Sequence, residues 1–434
     1  MHTTVLLLQS LTFTALGASL YLYYYTAFCG WKWNDSEARI LFLADPQIEG
    51  ESKIRRQGIR GKIDLFGNDL YLRHIYTSFV SLDSLFSSKP THTIVLGDLF
   101  SSQWIRDKEF KQRTERYKWI FGDPKGEYNH KLINLTGNHD IGYSGDMNKH
   151  RVERWKEAFG EMNFIKKFHK LAIINSMNVD GPVLDEELHY ETWSFLRKLS
   201  DEEDYRNTPL ILLTHIPIHK EEGICVDGPM IVYNSDNTIK EQNHLSQNSS
   251  NFILTKLKPR FIFAGHDHEG CDVTHVIRLN DNYDSNNNNS DEYTIESFRT
   301  NIFESKRQEI LGRKQDEEYD EDGNLKSWIV REVTVRSMMG GFSGNAGLFE
   351  IKKKIPKKDE DYGVEGEREE FGYNYSSCPF VINHIAWVVV ITDIILIILW
   401  MLIFLIIWSQ PIILPRVKSS SSFYNVFNKY IRFD

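Results

Sequence analysis

Short apolar runs, each closed by a polar cluster, recur through the middle of the chain. Residues 38–44 (ARILFLA) end on Asp45-Pro46-Gln47, and residues 91–96 end on Gly97-Asp98. Residues 131–135 lead into Thr136-Gly137-Asn138-His139-Asp140, 209–213 into Thr214-His215, and 260–264 into Gly265-His266-Asp267-His268. Unbroken apolar runs this short predict strands buried on both faces. Between them the spacing turns helical. Residues 69–86 carry Leu72, Ile75, Tyr76, Phe79, Leu82 and Leu85 along one face, and helices are also predicted over 107–121, 147–159 and 188–199. Further strands are predicted at 170–175 and 328–336, while 53–62 reads as a basic loop. Strands alternating with helices, with polar clusters at the strands' carboxyl ends, predict a layered α/β architecture.

Two longer apolar stretches flank this region. Residues 5–28 carry no charge, and Tyr21, Tyr23, Tyr24 and Tyr25 crowd their far end as an interfacial belt does. A cleaved signal peptide is the rival reading, but a basic leading segment is missing and the apolar run continues past Gly17. Residues 385–408 are apolar except for Asp393, which is expected to pair with Gln9 or a threonine of the first helix if it has a role. The tail at 409–434 is basic, with Arg416, Lys418, Lys429 and Arg432 against Asp434, which predicts a cytoplasmic tail. An uncleaved first helix then puts both termini in the cytoplasm and a domain at 36–352 on the lumenal side. Sequons at Asn34, Asn134, Asn248, Asn288 and Asn374 all fall between the two spans. A polar, Asn-rich stretch at about 281–324 reads as a disordered insertion, and 353–384 as a charged linker.

Composition adds exclusions. A net charge of -9 supplies no basic footprint and argues against a nucleic-acid partner. Four cysteines, Cys29, Cys225, Cys271 and Cys378, are too few and too scattered for a zinc finger or a disulfide framework. Buried free thiols are the expectation, with a Cys225–Cys271 bridge the alternative for a lumenal domain.

If the strands align, their polar ends gather at one place, and the donors they carry suit a pair of divalent cations. Such a pair clamps a phosphoryl group and acidifies a water for in-line attack. Asp98 is the candidate bridge between the ions. Asp45, Gln47 and His268 would complete one ion's ligands, and Asn138, His215 and His266 the other's. Imidazole, carboxylate and amide donors without thiolate favour manganese, iron or zinc. His139 is the candidate acid for the departing oxygen, with Asp140 orienting its ring. The remaining histidines are expected to be structural, with His74 a possible extra donor near the first ion.

In order and content, these blocks resemble the calcineurin-like metallophosphoesterases, from about Arg39 to Asp272. That resemblance implies a two-sheet α/β sandwich flanked by helices, with a dimetal site at the strand ends. One position departs from the family pattern: Gln47 stands where a histidine is usual, which leaves open whether it binds metal or only supports residues that do. The flanks, Asp45 to Gly50, Gly137 to Phe159 and the glycine-rich Gly340–Gly347, are similar to one branch. These are the endoplasmic-reticulum phosphodiesterases that remodel GPI anchors. The branch implies two divalent ions, manganese among them, and removal of a side-branch ethanolamine phosphate from the GPI-anchor glycan, so that GPI proteins join cargo receptors for export. Two rivals stand beside it: a non-catalytic scaffold in cargo export, to which Gln47 lends support, and a hydrolase of another phosphoester.

Overall fold

The computed structural model describes residues 2–81, 89–122, 131–167, 169, 171–201, 209–225, 230–280, 292–312, 316–319, 325–353, 371–380 and 383–409. The chain divides into two compact units, residues 1–20 with 387–434, and residues 21–386.

The smaller unit is built on two apolar helices, α1 (His2–Tyr24) and α10 (Asn383–Ser409). Each has a stretch long and apolar enough to cross a membrane, Val5–Tyr24 and Trp387–Ser409. Leu8, Ala15 and Leu396 pack together, and Trp400 Nε1 donates to Thr12 Oγ1 at 2.9 Å. Asp393 accepts from Ser19 Oγ at 2.5 Å, so its partner in the first helix is a serine, not the expected glutamine or threonine. The basic tail beyond Ser409 lies outside the described residues.

The larger unit is a two-sheet α/β sandwich. One sheet holds β1 (Ala38–Leu43), β2 (His92–Val95), β3 (Lys131–Asn134), β14 (Asn345–Lys353) and β15 (Phe371–Pro379), in the order β15-β14-β1-β2-β3. The other holds β4 (Phe164–Lys166), β5 (Leu171–Ile173), β6 (Ile211–Leu213), β9 (Phe261–Ala264), β10 (Cys271–Leu279), β11 (Tyr293–Arg299) and β13 (Leu325–Thr334), in the order β11-β10-β13-β9-β6-β5-β4. β12 (Glu318–Tyr319) pairs with β13, and β7 (Ile231–Tyr233) with β8 (Ile239–Gln242) as a separate ribbon. β1, β2 and β3 run parallel, as do β5, β6, β9 and β13.

The unbroken apolar runs are explained by burial on both sides. In β1, Ile40 and Phe42 join Ile94, Leu213, Phe263 and Phe349 between the sheets. Leu41 and Leu43 turn the other way, onto the helix layer. That layer includes α2 (Glu51–Gln57), α3 (Ile59–Ser81), α4 (Asp107–Phe121), the single turn α5 (Asn138–Ile141) and α6 (Lys149–Phe159). α7 (Glu186–Asp201) and α8 (Gln247–Phe252) join the same core, while α9 (Thr300–Leu311) packs apart from it, Phe303 and Leu311 against Val276. Tyr76, Phe110, Tyr117, Trp155 and Leu196 are the helix layer's main core contributors.

Four expectations need correction. The basic stretch 53–62 is helical, forming α2 and the start of α3, with Gly58 at φ 58° as the break between them. Lys, Arg and Gln are good helix formers, and an exposed helix needs no apolar periodicity. Within 281–324, residues 281–291, with the Asn-rich run, lie outside the described residues, but β11 and α9 are ordered and β11 pairs with β10 from Tyr293 to Arg299. The stretch read as a charged linker ends in β15, which pairs with β14 from Phe371 to Pro379. There the inward set is Phe371, Tyr373 and Tyr375, an alternation thinned by glycine, asparagine and serine between the aromatics. Finally, no cysteine is free: Cys29 bonds Cys378 and Cys225 bonds Cys271.

Candidate metal centre

β1, β2 and β3 of one sheet and β6 and β9 of the other deliver their carboxyl ends to one place. The chain must turn sharply as each strand stops, and it does so at a conformational cost. Asp45, Gln47, Asp98 and His266 all sit at positive φ, 50°, 42°, 50° and 72°. Non-glycine residues adopt that region rarely, and strain of this kind persists where the surrounding structure holds it. Glycine supplies the remaining room. A Cβ on Gly137 would lie 2.1 Å from Asp98 Oδ1, and one on Gly97, at φ 92°, 2.4 Å from His215 Nδ1.

The side chains converge at hydrogen-bonding distance or little more. His215 Nε2 lies 3.4 Å from Asp98 Oδ1 and 3.1 Å from Asn138 Oδ1, and His266 Nδ1 is 3.1 Å from the same amide oxygen. Asp45 accepts from the His266 backbone N–H at 3.2 Å and is 4.0 Å from His215 Nδ1. Gln47 Nε2 stands 3.3 Å from Asp98 Oδ2 and 3.2 Å from His268 Nε2. Asp45, Asp98 and His215 are fully buried and offer ligand atoms within 4.8 Å of one another.

This donor set fits a cation. The Leu96 carbonyl can only accept, so His215 Nδ1 carries the proton and donates to it at 2.7 Å. Nε2 of the neutral ring is then a lone pair, and what it faces are two further oxygens, Asp98 Oδ1 and Asn138 Oδ1. Three acceptors turned toward one buried point lack a donor among themselves, and a metal ion satisfies all three. Charge balance agrees. Burial, then the Asp98 charge, push the Asp45 carboxyl well above its usual range. Burial acts on Asp98 in the same sense, but the His215, His139 and His266 imidazoles outweigh it and hold that carboxyl low. Burial, with His215 beside it, brings His266 down to about 3, and burial also lowers His215 and His268. The rings are therefore neutral near neutral pH, the form that binds metal.

A profile of the calcineurin-like phosphoesterase family matches residues 38–270, more than half of the chain. The chain belongs to that family. Among characterised relatives it is similar to Protein TED1 of Saccharomyces cerevisiae, 29% identical over 85% of this chain and 83% of that protein. It is also similar to Metallophosphoesterase 1 of Mus musculus, 25% identical over 55% of this chain and 62% of that one. A Schizosaccharomyces pombe protein is 33% identical over 54% of this chain and 63% of its own length. Membership supports metal-dependent phosphoester hydrolysis, and the buried Asp45-Asp98-His215 group supports binding of a divalent ion.

In this calcineurin-like phosphoesterase, the structure refines what individual residues do. Gln47 is in place, but its amide nitrogen is what meets Asp98 and His268, so it holds two other candidate ligands as a donor. His139 is partly exposed, with Nε2 3.8 Å from Asp98 Oδ2, and its backbone N–H donates to Asp98 Oδ1 at 2.9 Å. Asp140 does not orient the His139 ring. Its carboxylate accepts from the backbone N–H groups of Gly137 at 2.8 Å, Phe100 at 3.0 Å and Leu99 at 3.2 Å. It thereby ties the turn after β3 to the turn after β2. His74 lies elsewhere, its Nε2 at 3.0 Å from the Tyr23 carbonyl.

Three neighbours were not among the expected site residues. Ser176 Oγ accepts from the N–H groups of His215 and Ile216, fixing the turn after β6. Tyr143 meets His266 edge to face at 6.2 Å. Phe342 lies 4.5 Å from the His268 ring and brings the glycine-rich loop to the site. Only the last could have been suspected, as a lone aromatic among glycines.

Proposed function

We propose that this chain is a dimetal phosphodiesterase of the endoplasmic-reticulum membrane that removes a side-branch ethanolamine phosphate from the GPI-anchor glycan. Its action promotes export of GPI-anchored proteins, in concert with cargo receptors. The observation that carries the hydrolytic part is the meeting of Asp45, Asp98, Asn138, His215 and His266 at one place, with His268 joined to Asp98 through Gln47. The substrate rests on the resemblance of the flanks at 45–50 and 137–159 and on likeness to TED1 across most of both chains. Two disulfides support a lumenal domain, because such bonds persist in oxidising compartments. The two apolar helices support a membrane-held enzyme meeting a membrane-held substrate.

Asp45, Asp98, Asn138, His215, His266 and His268 would hold the two ions, and manganese suits the donors. The ions, when bound, polarise the phosphoryl group and supply the nucleophile from water. The chain's own contribution is orientation and proton transfer. Leu96 fixes the His215 tautomer, Gln47 steadies Asp98 and His268, and the clamp at Asp140 sets the loops that carry Asp98 and Asn138. His139, at the open side of the cluster, would give its ring proton to the departing oxygen.

One observation favours a second reading. With Gln47 donating rather than ligating, one ion would have one ligand fewer, as suits a weakly catalytic scaffold in cargo export. Two experiments separate the readings. The purified full chain with manganese should hydrolyse a generic phosphodiester, and Asp98→Ala should abolish the activity; equal rates would leave the scaffold. Mass spectrometry of GPI glycans from cells lacking the protein should show retained ethanolamine phosphate. Unchanged glycans would remove the substrate assignment and leave the metal centre standing.

A further inference from the structure

Helix α3 is apolar on two sides. Leu65, Leu72, Ile75, Tyr76 and Val80 are buried against the body of the domain. Along another side Ile59, Ile63, Phe66 and Leu70 recur at i, i+4, i+7 and i+11, which places them in one narrow stripe. They are 78%, 55%, 63% and 44% exposed. A contiguous row of large apolar side chains on a soluble surface marks a place where something else binds. The row continues to Arg73, whose guanidinium sits 4.6 Å over the exposed Trp119 ring.

The surrounding charge says what covers it. Residues 51–64 hold five basic side chains against two acidic ones. Arg55, Arg56, Arg60 and Lys62 are exposed at the start of the stripe, and Arg60 reaches Asp64 only at 4.0 Å. Gly61 lets α2 lie close to α3, since a Cβ there would come within 2.7 Å of the Lys53 carbonyl. An apolar stripe with a cationic rim and a tryptophan complements an anionic lipid surface. A second copy of this net-acidic chain offers no such general match. Position in the chain points the same way. α3 packs on the turn Tyr25–Phe28, and His74 meets Tyr23 with ring centres 4.4 Å apart. That turn follows directly on the membrane-length stretch Val5–Tyr24.

We propose that the Ile59, Ile63, Phe66 and Leu70 face, with its basic rim, lies in the headgroup region of the bilayer that the first helix enters. This would fix how the domain stands on the membrane. On a different side, Leu65, Asn68 and Leu72 of α3 help to line a cavity of about 280 Å³ that reaches Gln47. Docking the helix would therefore set the height of the metal centre above the lipid, whatever phosphoester it hydrolyses.

The test uses the full chain, whose own cysteines are all disulfide-bonded, reconstituted in phosphatidylcholine–phosphatidylserine vesicles. Single variants Ile63→Cys, Phe66→Cys and, as a control on α9, Lys306→Cys carry an environment-sensitive fluorophore. Lipids brominated on the acyl chains should quench the probe at 63 and 66 several-fold more than at 306. Replacing the phosphatidylserine, or adding Arg56→Glu with Arg60→Glu, should cut that quenching by half or more while thermal melting stays unchanged. Equal quenching at 63 and 306 would overturn the proposal. So would shielding of residue 63 by cross-linking between two copies without lipid quenching.

Discussion

Replacing Asp140 with asparagine separates two accounts of the centre. The carboxylate spends both oxygens on three buried backbone donors, two on Oδ2 and one on Oδ1. An asparagine can keep its oxygen on the Gly137 and Leu99 amides, but its NH2 then faces the Phe100 N–H. One buried donor loses its acceptor, which costs about 1–3 kcal/mol, and the two surviving bonds lose their ionic part, for a total of about 2–4 kcal/mol. At about 2 °C per kcal/mol for a domain this large, melting should fall by about 4–8 °C. Because the clamp holds the loops bearing Asp98 and Asn138, metal affinity should fall as well, by about tenfold. Asp140→Ala should be worse on both counts. Thermal melting of the metal-free chain, followed by manganese titration, reads the two effects separately. A variant that melts within about 1 °C of wild type but shows a displaced pH–rate profile would refute the clamp. That result would restore Asp140 as the group orienting His139.

Gln47→Leu should weaken metal binding by about tenfold by releasing Asp98 and His268, whereas Gln47→His should tighten it, both read by titration calorimetry. Joint replacement of Cys225 and Cys271 by serine should destabilise the chain by about 4 kcal/mol on the chain-entropy view of a loop of this size, seen as a lower melting temperature. Burial, with the Lys220 charge, holds His244 at about 4. Below its ordinary 6.5 the unfolded chain takes up a proton that the folded chain refuses. Stability should therefore fall by up to about 3 kcal/mol between pH 6.5 and 4, and His244→Gln should flatten that slope in melting curves. Glu332, held at about 2 against burial by Lys220 and His275, adds a loss only further down, between about pH 4.5 and 2.

How much could be read in advance follows from where the physical signal was local. The five strand-end clusters were legible because strands buried on both faces leave unbroken apolar runs, and the chemistry begins where each run stops. The family resemblance then fixed how those ends meet. What was not legible depends on long-range pairing. Cys29 and Cys378 are 349 residues apart, and nothing near either signals the other. β15 has no pattern of its own beyond three alternating aromatics, and it exists because β14 offers an edge. The role of Asp140 was misread because adjacency to His139 in sequence suggested a partner, while the single turn of α5 points the carboxylate back to three amides. Basic 53–62 looked like a loop because a helix exposed on its outer side need not show a core-facing stripe there.

One pocket would hold two metal ions through side chains from five strand ends. Metal analysis of the full chain, purified with manganese and freed of excess, tests it most directly. Wild type should retain two equivalents per chain, and Asp98→Asn, with the shared carboxylate lost, should fall well below one. Equal metal content in the two proteins, or none in wild type, would contradict the account.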